Sequence, residues 1–370
     1  MPVPLLDLKA QHAVIKDAVV AEMLRVVDEQ AFILGPAVER LERAVAELSH
    51  VKHAIGCASG TDALLLAFRA LDIGRGDEVV TTPFTFFATA GTVHNVGARP
   101  VFADIEPETF NLDPELAAEA VTPRTKAVVP VDLFGQMAEI ERFSALMPNV
   151  PIVEDAAQSI GARRTIGGKP VMAGQAATIG TLSFFPTKNL GGYGDGGMVL
   201  TQDDELAMRL RRLRVHGGAR EYFHDEVGYN SRLDTLQAAV LLAKLAYLEA
   251  WSSKRREHAR YYDQALADVP DVQTPVVRPE NVSIFNQYTI RAVRRDDLAA
   301  QLKKKGVGTK VYYPLPLHLQ PCFSYLGYKP GSFPESERAA AEVISLPIYP
   351  ELTQAQLDET VAAIRSYYGR

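Results

Sequence analysis

Apolar residues recur at helical spacing over residues 13–29 (Val14, Ala18, Val19, Met23, Val26) and over 36–49 (Val38, Leu41, Ala44, Val45, Leu48). The pattern predicts two helices joined by an Ile33-Leu34-Gly35-Pro36 turn, with Pro36 placed to start the second. From residue 53 the pattern changes to short apolar runs at 53–57, 78–82, 99–104, 127–131 and 151–154, separated by stretches of helix length. Helices are expected over 63–71 and from 83 to about 95. Strands alternating with helices predict an α/β fold with a mainly parallel sheet flanked by helices. Residues 176–185 and 197–201 follow as a strand pair, then 203–215 as an amphipathic helix with its arginines outward. A polar loop from Gly228 leads into a helix through about Trp251, and a further helix covers 254–266. The domain boundary is expected there, between a large domain over 1–250 and a small one over 251–370. In the small domain, strands at 288–293 and 309–312 and helices at 296–305, 336–343 and 353–368 make an α+β unit, with 314–321 a rigid loop.

In sheets of this kind, ligands bind outside the carboxyl ends of the strands. Asp155, at the end of such a strand, lies at that edge, and the stretch 181–197, TLSFFPTKNLGGYGDGG, holds one lysine, Lys188, before Gly191, Gly192, Gly194, Gly196 and Gly197. The glycines are expected to leave room for a bulky group against the backbone. A lysine shielded from water loses its proton more easily and can attack a carbonyl to form a Schiff base. A surface lysine in a flexible loop is the other reading of the same segment.

Three further segments change the picture. Ser59-Gly60-Thr61-Asp62 sits between a strand and a helix, where free N–H groups and the helix dipole suit a phosphate; the same residues also suit an ordinary helix cap. Phe84, Phe86 and Phe87 crowd a strand-to-helix junction, either as core or as a stacking surface for a planar ligand. Asp155 ends the strand at 151–154, followed by Gln158; it could pair with a protonated heterocyclic nitrogen or cap its own turn. Read jointly with Ser183, five residues before Lys188, these match what pyridoxal 5′-phosphate (PLP) requires: a lysine for its aldehyde, a carboxylate for its ring nitrogen, a ring for its face, and donors for its phosphate.

Composition removes other classes. A formal charge of -6 gives no basic field, so nucleic acid is not expected as a partner. The two cysteines, Cys57 and Cys322, lie in no CxxC or His-rich group, which predicts neither a disulfide framework nor a metal site. No run approaches the ~20 apolar residues of a membrane helix, and the N-terminus lacks a signal-peptide core. A cytoplasmic protein with no membrane partner is expected.

The chain resembles the sugar aminotransferases of the DegT/DnrJ/StrS group, which have the aspartate aminotransferase fold type I. The resemblance runs from PLLDLKAQ and ILGPAVERLE through GTDALLLA, PFTFFATA, EDAAQSIGA, SFFPTKNLGGYGDGG and GYNSRLDTLQAA to YYPLPLHLQ and SLPIYP. It implies a seven-stranded sheet in the large domain, Lys188 in covalent linkage with PLP, and Asp155 on the pyridine nitrogen. It further implies Gln158 near the ring hydroxyl, Phe86 stacked on the ring, and Gly60, Thr61 and Ser183 on the phosphate. Asn230 would reach the phosphate from the neighbouring subunit, which makes a homodimer part of the site. Relatives with histidine in place of the lysine are dehydratases, so Lys188 favours the aminotransferase branch. The implied reaction takes an amino group from L-glutamate, releases 2-oxoglutarate, and aminates a keto-sugar linked to UDP or dTDP. The segment VGYNSRLDTLQAA is most like 3-aminotransferases, including those acting on UDP-2-acetamido-3-keto-glucuronic acid or dTDP-3-keto-6-deoxyhexoses. Such amino sugars enter lipopolysaccharide and other surface polysaccharides, or glycosylated metabolites. A 4-keto-sugar aminotransferase and a sugar dehydratase of the same fold are the alternatives. His216, Arg232, Tyr312, Tyr313 and His318 are candidate substrate contacts, with packing as the alternative for each and an ion pair to Asp234 or a subunit contact for Arg232.

Overall fold

The computed structural model describes residues 2–369. Seven strands build the central sheet: His53–Cys57 (β1), Glu78–Thr81 (β2), Arg99–Phe102 (β3), Thr125–Val129 (β4), Val153–Asp155 (β5), Ile179–Ser183 (β6) and Gly197–Thr201 (β7). One half runs β1-β7-β6-β5 and the other β4-β2-β3. They meet through parallel bridges at Val128↔Ile152 and Val131↔Asp155. Only β7 runs antiparallel to its neighbours, β1 and β6. The other pairs are parallel, as the alternation of strands and helices predicts.

Helices cover both faces, which explains why every residue of β2 and β7 is buried, Glu78 and Thr81 included. On one face Leu64, Leu66 and Phe68 of the helix Gly60–Ala70 (α1) pack with Ile55, Val79, Val153, Ile179 and Val199. On the other, Val38, Leu41 and Val45 of Pro36–Leu48 pack with Leu182, Met198, Leu200 and the helix Thr235–Leu245. The first helix of the chain, Leu8–Glu29, starts earlier than its apolar spacing suggests, because the Asp7 carboxylate accepts from the N–H groups of Lys9 and Ala10.

A second core joins Tyr262, Tyr288, Ile290, Leu302, Ile344, Leu346, Leu357 and Ile364 around a three-stranded sheet of Val272–Gln273, Tyr288–Ala292 and Val343–Leu346. Val3 packs into it from the other end of the chain. Three expectations change here. Residues 309–312 form no strand but a single bridge, Lys310↔Ser345, because Val343–Leu346 takes the place beside Tyr288–Ala292. The helix break falls at residues 246–247 and not near Trp251, which stacks on Tyr247 at 5.6 Å within the continuous helix Leu248–Leu266. A hairpin, Arg163–Ile166 with Lys169–Met172, turns through Gly167 and Gly168, both at positive φ, and was not foreseen. Among the described residues no helix is long and apolar enough to cross a membrane.

Candidate active site

The strand ends place the candidate residues together. In the sheet register Asp155 lies beside Thr181 of β6, and Ser183, two residues on, lies beside Gly197, whose other neighbour is Cys57 at the end of β1. Asp155 is buried, which pushes its pKa up; the Thr89 hydroxyl, the Ala157 N–H and the positive charge of Lys188 oppose that shift. Thr89 donates to Oδ2 at 2.8 Å and the Ala157 N–H to Oδ1 at 3.3 Å. The turn-capping bond is therefore present, and Oδ2 is held by Thr89. Thr89 lies in the first turn of the helix Phe87–Asn95, and the sequence reading passed it over because nothing in its spacing marks it.

Lys188 follows the turn that closes β6, with its N–H bonded to the Phe185 carbonyl. Burial of the ammonium pulls its pKa down to about 8, against the attraction of Asp155. About a tenth of the amine is therefore neutral near pH 7, far more than for an ordinary lysine, and that is the form a nucleophile needs. A second buried lysine, Lys244, is also shifted to about 8 by burial. Its Nζ is engaged with the Gly191 carbonyl at 2.7 Å and the face of Tyr193 at 4.7 Å, so it braces the loop from behind.

The glycines after Lys188 serve a different purpose from the one expected. A Cβ on Gly191 would lie 2.4 Å from the Pro186 carbonyl, on Gly192 2.8 Å from Gln237 Oε1, and on Gly197 2.2 Å from the Ser59 carbonyl. Gly194 and Gly196 meet Gln237 and Leu233 in the same way. The positions their side chains would take are already filled by the protein itself, so these glycines permit close packing. Gly197→Ala is accordingly expected to cost about 1–3 kcal/mol, read as a lowered melting temperature. An unchanged melting temperature would mean that the α1 start can move aside.

That close approach sets the N-terminus of α1 against Ser183: a Cβ on Gly60 would meet the Ser183 Cβ at 2.6 Å. Ser59 caps the helix by accepting from the Asp62 N–H at 3.0 Å. The N–H groups of Gly60 and Thr61 lie in the first turn, outside the helix ladder, and Thr61 is exposed. Gln158 is held at both ends, its Oε1 accepting from the Phe134 N–H at 2.8 Å and its Nε2 donating to the Tyr313 hydroxyl at 3.2 Å. Tyr313 also contacts Phe84 and Phe86, and Phe86 is 58% exposed at the head of its helix.

The remaining candidates divide. Tyr312 packs edge-on against Tyr313. His216, exposed and at positive φ, lines a separate depression with Arg232, Tyr222 and Gly228, and Asn230 beside it is exposed. His318 is not brought to the cluster: it is 2% exposed, bonded through Nε2 to Glu337 at 3.0 Å and set edge-on to Phe333. The PLPLHLQP loop turns inward because Leu317 packs beside Ala90 and Phe102. A surface depression of about 700 Å³ in the C-terminal part holds none of these residues; its Arg291 and Arg295 are paired with Glu342 and Asp296. Among the described residues no group of His, Cys, Asp or Glu is placed to hold a metal ion.

Known proteins resemble the chain along its whole length. The chain is 50% identical to a pleiotropic regulatory protein of Geobacillus stearothermophilus, covering 100% of this chain and 99% of that one. It is 45% identical to the UDP-2-acetamido-2-deoxy-3-oxo-D-glucuronate aminotransferase of Pseudomonas aeruginosa, covering 97% and 98%. The crystal structure of S. venezuelae DesV in complex with a ketimine intermediate superposes with a TM-score of 0.96 at 40% identity, over 100% of this chain and 99% of that one. Residues 14–365 match the model of the DegT/DnrJ/EryC1/StrS aminotransferase family, and the chain belongs to that family.

Proposed function

We propose that the chain is a PLP-dependent aminotransferase that moves the amino group of L-glutamate to C3 of a UDP- or dTDP-linked 3-keto sugar. The observation that carries this reading is Lys188, an amine with a depressed pKa placed against the buried Asp155 at the strand ends. The residues fit the cofactor on independent grounds. The unladdered N–H groups of Gly60 and Thr61 beside Ser183 suit its phosphate, and the exposed face of Phe86 suits its ring. When bound, PLP supplies an aldehyde that condenses with amines and a protonated ring that withdraws electrons from the substrate's C–H bond.

The chain's residues do the rest. Lys188 Nζ would hold the cofactor and, once freed by the incoming donor amine, would carry the proton from the donor's Cα to the cofactor's C4′. Asp155 keeps the ring nitrogen protonated, with Thr89 fixing Oδ2. Gln158, clamped by Phe134 and Tyr313, bonds the ring hydroxyl. The identity to a 3-oxo-sugar aminotransferase favours C3, and Arg232 with His216 is our assignment for sugar or diphosphate contacts. Product masses from the protein, glutamate and a panel of UDP- and dTDP-linked 3-keto and 4-keto sugars test the reading. An amino sugar with stoichiometric 2-oxoglutarate supports it. Loss of water from the sugar without 2-oxoglutarate would indicate a dehydratase, and no product at all a non-catalytic role.

Because Lys188 attacks as the neutral amine, PLP uptake by the apoprotein should quicken as pH rises through about 8 and then level off. Stopped-flow absorbance follows it. A rate that climbs on toward the ordinary lysine value of 10.5 would contradict the burial argument.

We also place Asn230 on the phosphate of the neighbouring subunit. Several apolar residues are exposed here, Val14, Val20, Leu24 and Val27 on the first helix with Phe32 and Ile33 after it, which supports a homodimer. Val14→Asp with Leu24→Asp should yield monomers by sedimentation and lose most activity, since each site would lack its Asn230. A fully active monomer would remove the shared site.

A further inference from the structure

Behind Asp155 two more carboxyls are packed without access to water. Asp132 and Glu154 are both 0% exposed. Glu154 precedes Asp155 on β5, so its side chain leaves the opposite face of the strand. Its Oε1 accepts from the Gly174 N–H at 2.9 Å. Its Oε2 is buried with no N–H or O–H donor on it, and the nearby group to which Glu154 hydrogen-bonds is the Asp132 carboxyl. Each oxygen of Asp132 already has one donor, the Ala138 N–H on Oδ1 at 2.8 Å and the Ser159 hydroxyl on Oδ2 at 2.7 Å, and keeps a lone pair for another. An ionised carboxylate only accepts, so two of them in contact repel, whereas one carboxylic acid can donate to the other. The oxygen without a donor is the one placed to carry the proton.

We propose that Glu154 is kept as a carboxylic acid that donates to Asp132, and that this singly charged pair pins the 132–138 loop and the 156–159 turn behind β5, positioning Asp155 and Gln158. The connections are direct. The Asp132 N–H donates to the Asp155 carbonyl at 3.1 Å, and the Asp155 N–H to the Pro130 carbonyl at 2.9 Å. Ser159, anchored on Asp132, follows Gln158, and Gln158 in turn accepts from Phe134 of the pinned loop. Burial raises the proton affinity of both carboxyls, and the charge of Asp155 acts in the same direction on Asp132. Beyond Asp155 lies Lys188, and among the described residues no Lys, Arg or His is hydrogen-bonded to either member of the pair. The shared proton rests on the complete burial of both carboxyls, the donors that occupy their other oxygens and the electrostatic coupling of the two groups; the positioning role rests on Asp155 and Gln158 facing the cofactor as proposed above.

Glu154→Gln is the decisive variant, since its amide keeps the acceptor for Gly174 and a donor for Asp132. Asp132→Asn does the reverse, setting an amide N–H against Ala138 or Ser159. Infrared difference spectra of the whole protein near neutral pH should show a carboxylic-acid carbonyl band in the parent that Glu154→Gln lacks. Glu154→Gln should keep the parental melting temperature, while Asp132→Asn lowers it by several degrees and shifts the absorbance titration of the PLP-loaded protein. The pH dependence has a definite sign. The folded pair holds its proton more tightly than the unfolded chain does, so the parent is relatively most stable below the ordinary carboxylate range and loses stability as pH rises above it. Glu154→Gln should flatten that loss. An absent acid band, or a Glu154→Gln protein that melts as low as Asp132→Asn, overturns the proposal. Failure of PLP to load on Lys188 while the acid band persists would instead overturn the cofactor site.

Discussion

Lys188→Ala should lower amino transfer by about five orders of magnitude and leave a protein that binds PLP only weakly and without covalent linkage. The size follows from the two duties that converge on one Nζ. It holds the cofactor, and it shuttles the proton at the reacting carbon, a step for which no neighbouring group is a substitute. Asp155 is acceptor only, and Lys244 is turned to the Gly191 carbonyl behind the loop. Dialysed Lys188→Ala should therefore lose the visible absorbance of the parent, and 2-oxoglutarate release should fall to background. Folding should not suffer, because the substitution removes a buried ammonium whose depressed pKa marks a net cost of charge. A variant that retains more than about one hundredth of parental turnover would take Lys188 out of the proton transfer.

Asp155→Ala should lower turnover by about three orders of magnitude while leaving the melting temperature near the parental value. Its carboxylate is buried, and burial is the largest influence on it, so losing the charge relieves a desolvation penalty even as the Thr89 and Ala157 bonds go. What disappears is the partner that keeps the ring nitrogen protonated. Turnover should fall in both half-reactions, with glutamate and with the keto sugar, because the same electron withdrawal serves each. A variant losing stability but not turnover would make Asp155 a turn cap and nothing more.

The parts legible in the sequence are those written in local pattern. The β1 and β7 runs at 53–57 and 197–201 were readable as strands, and Asp155 and Lys188 stood out as polar residues at strand ends. The groups that tune them were not legible, because they come from distant segments. Thr89 reaches Asp155 across 66 residues, and Tyr313 reaches Gln158 across 155. Lys244 sits on an otherwise apolar helix, where its spacing alone marks it as an outward charge, yet it is buried under Tyr193. The glycines misled for a related reason: composition says that a backbone can be approached closely but not by what. Here Gln237, Leu233 and Ser59 do the approaching. His318 shows the converse, since a histidine in a proline-rich loop is indistinguishable in sequence from a cleft residue until Phe333 and Glu337 are seen around it.

Borohydride reduction of the PLP-loaded protein, followed by digestion and peptide mass mapping, tests the central claim most directly. Two lysines near the loop share a pKa of about 8, so depressed basicity alone does not choose between them. The geometry does, because only Lys188 is set against Asp155. The account predicts the pyridoxyl group on the peptide containing Lys188 and on no other. Its appearance on Lys244, or on any lysine remote from Asp155, would contradict it.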